Sequence, residues 1–435
     1  MAYQLPEKFI ERMKKQLPEH EWEAFFASYE TPPKKGLRVN PLKISTPEFE
    51  KITPFALEKI SWEENGFLVN AEKLGAHPYH FAGAYYSQEP SAMCAAPLLD
   101  VQAGETVLDL CSAPGGKGTQ LAGKMQGRGL LVLNEPVFSR AKILSQNVER
   151  MGVKNALVVC ATPNELSKVF PACFDKILVD APCSGEGMFK KNAEEAFEEW
   201  SEENVALCAL RQAEILSEAT KMLRVGGRLV YSTCTFSEEE DEEQVCNYLQ
   251  NHPEMRLIRQ EKLYPHKVAG EGHFAALLEK TDGQSVKPKE KKSNVKKQTE
   301  QAYRAFEKEF FLHPFADGLY EHGDEVFALP TPAFEWGNLQ VLRVGVRLGE
   351  MKNGRFEPDH SLAMCAKKSE VRLVLDLPLT DARVNKYLRG ETISSDLPNG
   401  WCLVCVDGFS IGLGKSVNGT IKNHIPKGIR KKSSE

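Results

Sequence analysis

Residues 106–122 read TVLDLCSAPGGKGTQLA. Val107, Leu108 and Leu110 form a short apolar run, Pro114-Gly115-Gly116 interrupts it, and a helical pattern opens at Lys117. A strand that runs through glycines into a helix leaves free backbone N–H groups and an uncrowded backbone at one point. Nucleotide-like ligands are held in this way at a sheet edge. The stretch is not GxGxxG, which weakens a dinucleotide reading, and it lacks GxxxxGK[ST], which excludes a standard phosphate loop. Taken alone, the glycine pair is equally a tight strand-to-helix turn.

Moving outward, strand patterns recur at 106–110, 130–134, 156–160, 176–180, 228–232 and 274–279, with helical patterns at 117–125, 139–151 and 204–223. This alternation predicts an α/β fold, a largely parallel sheet covered on both faces. The second strand ends in Asn134-Glu135, placing a carboxylate where a ribose diol needs one. A later strand ends in Asp180-Ala181-Pro182-Cys183, at the carboxyl edge where such sheets bind ligands. A nucleoside without pyrophosphate fits, and S-adenosylmethionine is the leading candidate.

Eleven scattered cysteines argue against a disulfide framework. Cys402 and Cys405, in GWCLVCVDG, read as half-buried strand residues on opposite faces, and no metal site is expected. Cys183 (ILVDAPCSGEGMF) and Cys234 (RLVYSTCTFSEEEDEE) differ, because each closely follows an apolar strand. Either alone could be an ordinary buried thiol. Together with Asp180 they match the needs of methylation at a pyrimidine carbon 5. That carbon is a poor nucleophile until a thiolate adds to carbon 6 and makes the ring an enamine. The addition needs a proton delivered or held at ring nitrogen 3, a task for a carboxyl whose pKa burial raises. The proton on carbon 5 must then leave, which calls for a second group beside the base. The spacing does not say which cysteine attacks.

CSAPGGKG, DAPCSGEGMF and STCTFS, with SQEPSAM upstream, resemble the motifs of the Nop/Sun family of RNA cytosine-5 methyltransferases, in family order. GEGHFAALL and DGFSIGLGKSVNGTIKNHIPKGIR resemble its bacterial subgroup acting on small-subunit ribosomal RNA. The resemblance implies a Rossmann-like class I methyltransferase sheet with a PUA-like RNA-binding module at the C-terminus. It implies Cys234 as the nucleophile and Cys183 as the residue that assists release. S-adenosylmethionine would be held by Cys111, Ser112, Ala113, Pro114, Gly115, Gly116, Lys117 and Glu135, with Arg140 at a basic position of the family. Asp180 would lie between methyl donor and base, with Lys117 orienting its carboxylate. Where many members carry an adenine-contacting aspartate, this chain reads Ala161-Thr162-Pro163, leaving Thr162 to hydrogen-bond through its hydroxyl.

The 435 residues are expected to form an N-terminal region (1–76), a catalytic domain (77–280), a basic linker (281–300) and a C-terminal domain (301–435). No run of about 18 apolar residues occurs, and residues 1–16 do not look like a signal peptide, so a cytoplasmic monomer is expected. The net charge of −5 argues weakly against nucleic acid until it is divided. Residues 1–280 hold 31 Lys+Arg against 40 Asp+Glu, whereas 281–435 hold 24 against 20. Twelve of those forty acids lie in two runs, 194–203 and 238–243. The first reads as a solvated helical face with Trp200 in the core. The second, after Ser237 as N-cap, reads as the first turn of a helix. RNA contacts are expected from Lys34, Lys35 and Arg38, and from the tail residues Lys422, His424, Lys427, Arg430, Lys431 and Lys432. Competing readings are a transfer-RNA cytosine-5 methyltransferase, an amino-group methyltransferase, and a non-enzymatic RNA-binding or ribosome-assembly factor. The amino-group enzyme is disfavoured because its loop is typically Asp/Asn-Pro-Pro-aromatic.

Overall fold

The structure, a computed structural model, describes residues 5–190 and 193–431. Its centre is an eight-stranded sheet. The first five strands are β1 (Thr106–Asp109), β2 (Leu130–Asn134), β3 (Ala156–Cys160), β4 (Phe174–Asp180) and β5 (Leu223–Thr233). They are joined by helices α1 (Gly116–Met125), α2 (Phe138–Arg150), α3 (Pro163–Val169) and α4 (Glu202–Met222). Helix α5 (Glu242–Asn251) then leads to an antiparallel hairpin, β6 (Met255–Leu263) and β7 (His273–Lys280). An eighth strand, β8 (Gln340–Val344), completes the sheet in the order β6-β7-β5-β4-β1-β2-β3-β8. Successive residues of β1 face opposite ways. Leu108 packs with Phe174, Ile177 and Leu216, while Val107 packs with Leu121, Leu144 and Val148. Apolar runs covered on both faces therefore become parallel strands. The winding reverses between β1 and β4, which opens a crevice at their carboxyl ends.

All six anticipated strands are present, and two were not foreseen in place. Strand β6 is a half-solvated edge whose MRLIRQEKL sequence lacks an apolar run. Strand β8 comes from the stretch 301–435, expected to form a separate C-terminal domain, yet it pairs antiparallel with β3 and covers the edge that β3 would otherwise expose. Its Arg343 bonds Ser145 and Glu149 of α2, which pins the C-terminal part to the catalytic sheet.

The N-terminal helix Glu7–Gln16 is followed by a four-stranded sheet, ordered Leu57–Lys59, Gly66–Val69, Gly36–Val39, Tyr85–Ser87. Its last strand lies beyond the limit expected at residue 76. The stretch 281–300 is also not a free linker. Val286 donates its N–H to Ala172, Lys291 donates to Ala333, and helix Lys297–Phe310 begins within the stretch. Composition reports the solvated lysine side chains and is silent about a backbone that is strapped down. Beyond it lie a four-stranded sheet (Gly318–His322, Glu325–Leu329, Val346–Lys352, Arg355–Pro358) and a five-stranded sheet built around Gly400–Val406. Cys402 and Cys405 are buried on opposite faces of that strand, in two different clusters. No described helix is long and apolar enough to cross a membrane.

Arg38 corrects an expectation. Strand Gly36–Val39 is wholly buried, and Arg38 is 1% exposed. It donates to Gly116 O and Thr119 Oγ1, both at 2.9 Å, and to Gln88 Oε1 at 3.0 Å. Burial lowers its pKa to about 10, so it remains charged at neutral pH. Arg38 braces the start of α1 and cannot meet phosphate; of this segment Lys34 and Lys35 reach the surface. Arg38→Met is expected to cost roughly 2–4 kcal/mol of stability by stranding its three acceptors. Urea denaturation reads this as a lower midpoint at unchanged slope.

Candidate active site

Strands β4 and β5 are parallel neighbours, with Asp180 opposite Ser232, so the loops that follow them leave side by side. This brings Cys183 and Cys234 together: their sulfurs are 3.3 Å apart, and the Cys234 N–H points at Cys183 Sγ at 3.4 Å. Hydrogen bonding to Cys234, together with burial, pushes the Cys183 thiol well above its usual pKa. Gly187 completes the junction, donating its N–H to Cys234 O at 2.8 Å. A Cβ at Gly187 would lie 2.9 Å from that oxygen.

Two buried carboxylates missed by the sequence reading lock these loops. Glu186 accepts from Phe236 N, Ser237 Oγ and Trp200 Nε1 at 2.8–2.9 Å. Glu240 accepts from Ser184 N at 3.0 Å and Gln212 Nε2 at 2.8 Å. The run 238–243 is thus not simply a solvated first turn. Ser237 spends its hydroxyl on Glu186, Asp241 is the residue preceding α5, and Glu240 and Asp241 are fully buried. The other acidic run fits its reading better: Glu198, Glu199 and Glu203 are exposed and Trp200 is buried, while the side chains of Glu194 and Glu195 lie outside those described.

Burial raises the Glu240 carboxyl from 4.5 to about 7. Between those values the folded chain holds a proton there that the unfolded chain has lost. The Glu240 contribution to stability therefore falls as pH rises from about 4.5 to 7. Glu240→Gln is expected to flatten this part of the stability–pH curve, measured as urea midpoints at pH 5, 6, 7 and 8. A curve parallel to that of the wild type would contradict the assignment.

Asp180 lies at the centre. Lys117 Nζ donates to its Oδ2 at 2.8 Å, and Ser232 Oγ donates to its Oδ1 at 2.8 Å. Burial alone would raise the Asp180 pKa, but Lys117 and its other neighbours overcome this and hold it below the usual carboxylate value. This corrects the expectation of a carboxyl raised by burial: Asp180 is an ionised acceptor. Burial likewise opposes the charge on Lys117, yet Asp180, and then Cys234 and Cys94, raise its pKa above normal.

Asp180, Cys183 and Cys234 line a cleft of about 1190 Å³ shared with Cys111, Ala113, Glu135, Arg140 and Thr162. The buried Glu135 accepts from Val137 N at 3.0 Å through Oε1, and its Oε2 lies 3.3 Å from Arg140. Arg140 also donates to Ala113 O, so it fastens Glu135 to the glycine loop. Ser112 turns inward to Asp109, and Gly115 takes a left-handed φ of 109° just before α1. Ser112, Pro114, Gly115, Gly116 and Lys117 are not among the cleft residues. The Thr162 hydroxyl is occupied: it bonds the Glu165 carboxylate at 2.8 Å in a capping box for α3. Its proton is therefore spent within the fold. Of the basic tail, Lys422, His424 and Lys427 are exposed, Arg430 and Lys431 are partly buried, and Lys432 lies outside the described residues. Among the described residues, no group of three or more His, Cys, Asp or Glu is placed to hold a metal ion.

Comparison with known proteins agrees with this architecture. Residues 96–283 match the family model for 16S rRNA methyltransferase RsmB/F. Residues 5–90, 305–365 and 374–431 match the N-terminal, first C-terminal and PUA domains of RsmF. The chain is 33% identical to the ribosomal RNA small subunit methyltransferase F of Vibrio vulnificus, covering 97% of each chain. The like-named protein of Erwinia tasmaniensis is 30% identical over 97% of this chain and 96% of its own. Among solved structures, a methyltransferase homologue from Pyrococcus horikoshii is 25% identical with a TM-score of 0.56, covering 63% of this chain and 100% of that one. The NSun6 structure from the same organism shares the fold, at 21% identity and a TM-score of 0.58 over 64% of this chain and 99% of its own. With relatives matched end to end and four family models in order, the chain belongs to the RsmB/F family of 16S rRNA methyltransferases.

Proposed function

We propose that this protein methylates carbon 5 of a cytosine in small-subunit ribosomal RNA, with S-adenosylmethionine as donor, through a covalent cysteine–cytosine adduct. The observation that carries this reading is the pair of sulfurs 3.3 Å apart in one cleft with an ionised Asp180 that Lys117 anchors from outside it. A methyltransferase acting on an exocyclic amine has no use for two adjacent thiols.

The donor's chemistry fits the residues present. The buried Glu135 suits a ribose diol, and the half-buried Asp180 lines the same cleft as the sulfurs. When bound, S-adenosylmethionine supplies an electrophilic methyl group. Everything else falls to the chain. Cys234 interacts electrostatically with Lys117, and its sulfur bonds to carbon 6 of the base. The proton that the Cys234 thiol loses goes to ring nitrogen 3, and Asp180, as an ionised acceptor, holds it there or holds the exocyclic amine. Cys183 serves the release, in which the proton on carbon 5 passes to solvent, the bond between carbon 6 and sulfur breaks, and the proton on ring nitrogen 3 returns to the Cys234 sulfur. The target base must be unstacked to reach Cys234. The exposed basic residues of the PUA domain meet the surrounding phosphates.

The test is the product. Small-subunit RNA incubated with the protein and S-adenosylmethionine is expected to yield 5-methylcytosine on nucleoside mass spectrometry and bisulfite sequencing. A methyl group on an exocyclic nitrogen or a ribose overturns the proposal, and modification confined to transfer RNA overturns the substrate.

A further inference from the structure

We propose that His273 is a positioning residue for Asp180, its unspent ring N–H becoming a third donor to the carboxylate when the target base enters. The inference rests on the methyl-transfer reading above and adds a residue to it. His273 opens β7 within the run GEGHFAALL, is 1% exposed, and neither of its ring nitrogens has a hydrogen-bond partner. Leaving a buried polar ring unpaired is costly, and such groups in native folds call for an explanation. The ring is not far from a partner: Nε2 lies 3.8 Å from Asp180 Oδ1, beyond a hydrogen bond but within reach of a small rotation of the carboxylate.

The arrangement leaves room for that bond. An ionised carboxylate offers about four acceptor sites. Lys117 and Ser232 use two. The base takes another, which leaves one for His273. Burial and the adjacent Lys117 charge hold the imidazole down to about 3, so it is neutral at working pH and carries one N–H. A neutral donor aligns Asp180 without adding a second positive charge beside Lys117. The other titratable groups around this centre are Asp109, Cys94 and Cys111, which interact electrostatically with Asp180, and Cys234, which interacts with Lys117. Among the hydrogen bonds of the described residues, none of these donates to Asp180.

Two variants of the full-length protein test this. His273→Phe keeps a ring and removes both nitrogens, whereas His273→Gln keeps an N–H donor. With small-subunit RNA and S-adenosylmethionine, His273→Phe is expected to lower kcat about tenfold with RNA KM within twofold. The acid limb of its pH–rate profile should move to higher pH, because Asp180 loses a donor that favours its charge. His273→Gln is expected to recover most of the loss and return the limb toward its wild-type position. Wild-type kcat and limb in His273→Phe overturn the proposal, as does equal impairment of both variants. Should His273→Phe fail to fold, His273→Gln decides alone: near-wild-type kcat with an unmoved limb supports the role, and a tenfold loss overturns it. The failure of the broader reading looks different, because wild-type protein would then yield no 5-methylcytosine.

Discussion

Cys234→Ala is expected to lower methyl transfer roughly 10⁴-fold or more and to form no adduct, whereas Cys183→Ala is expected to accumulate RNA bound covalently to protein. The asymmetry follows from the positions of the two thiols. Cys234 follows β5 directly and interacts electrostatically with Lys117, while Cys183 is held as a thiol by its bond to Cys234 and by burial. Removing the attacking sulfur stops the reaction before any bond forms. Removing the neighbour leaves attack possible and stalls the release of carbon 6. Denaturing gel electrophoresis with labelled RNA separates the outcomes: a slowly migrating, protease-sensitive band for Cys183→Ala, none for Cys234→Ala, and none for the double variant. Methyl transfer surviving in Cys234→Ala, or the band appearing in that variant instead, would reverse or remove the assignment. Neither substitution should unfold the chain, since both thiols are partly exposed and the loops are held by Glu186 and Glu240.

How much of this could be read from the residues differs between the reacting groups and those that hold them. Asp180, Cys183 and Cys234 each follow an apolar run that can only be a buried strand, and parallel strands deliver their carboxyl ends to one edge. The approximate meeting of these three residues was therefore legible. Glu240 and Asp241 were not, because an acidic run after a serine is also a sound helix start. Their burial is set by Ser184, Gln212 and Lys262, which come from distant parts of the chain. Arg38 was misread for the same reason. KKGLR is a basic segment in one dimension, but Gly36–Val39 is an inner strand of the N-terminal sheet, with Arg38 turned toward α1. Strand β8 shows the limit at the level of topology. Its pattern is plainly that of a strand, yet pairing across roughly 180 positions of sequence leaves no local trace.

The Asp180 charge state was not legible either, and it leads to the second large effect. Position alone gives a buried carboxyl, whose pKa should rise. Lys117 at 2.8 Å reverses the direction. Asp180→Asn is accordingly expected to lower kcat by about 10²–10⁴ while leaving affinity for RNA little changed. The amide keeps the shape but loses the charge that holds a proton on the base. It also strands Lys117, whose side chain is 9% exposed and whose ammonium loses its counter-charge. Lys117→Met probes the same pair from the other side. With the ammonium gone, burial is less opposed and the Asp180 pKa rises, so the acid limb of the pH–rate profile should move up from its wild-type position into the working range. The same substitution should also change stability with a defined sign. A depressed Asp180 pKa gives stability that is present above the unfolded value near 3.8 and is lost as pH falls through the folded one. In Lys117→Met this contribution disappears, and the urea midpoint should fall more at pH 7 than at pH 3. Activity within threefold of wild type in Asp180→Asn, or an unmoved acid limb in Lys117→Met, would show that the pair braces the loop and takes no part in the chemistry.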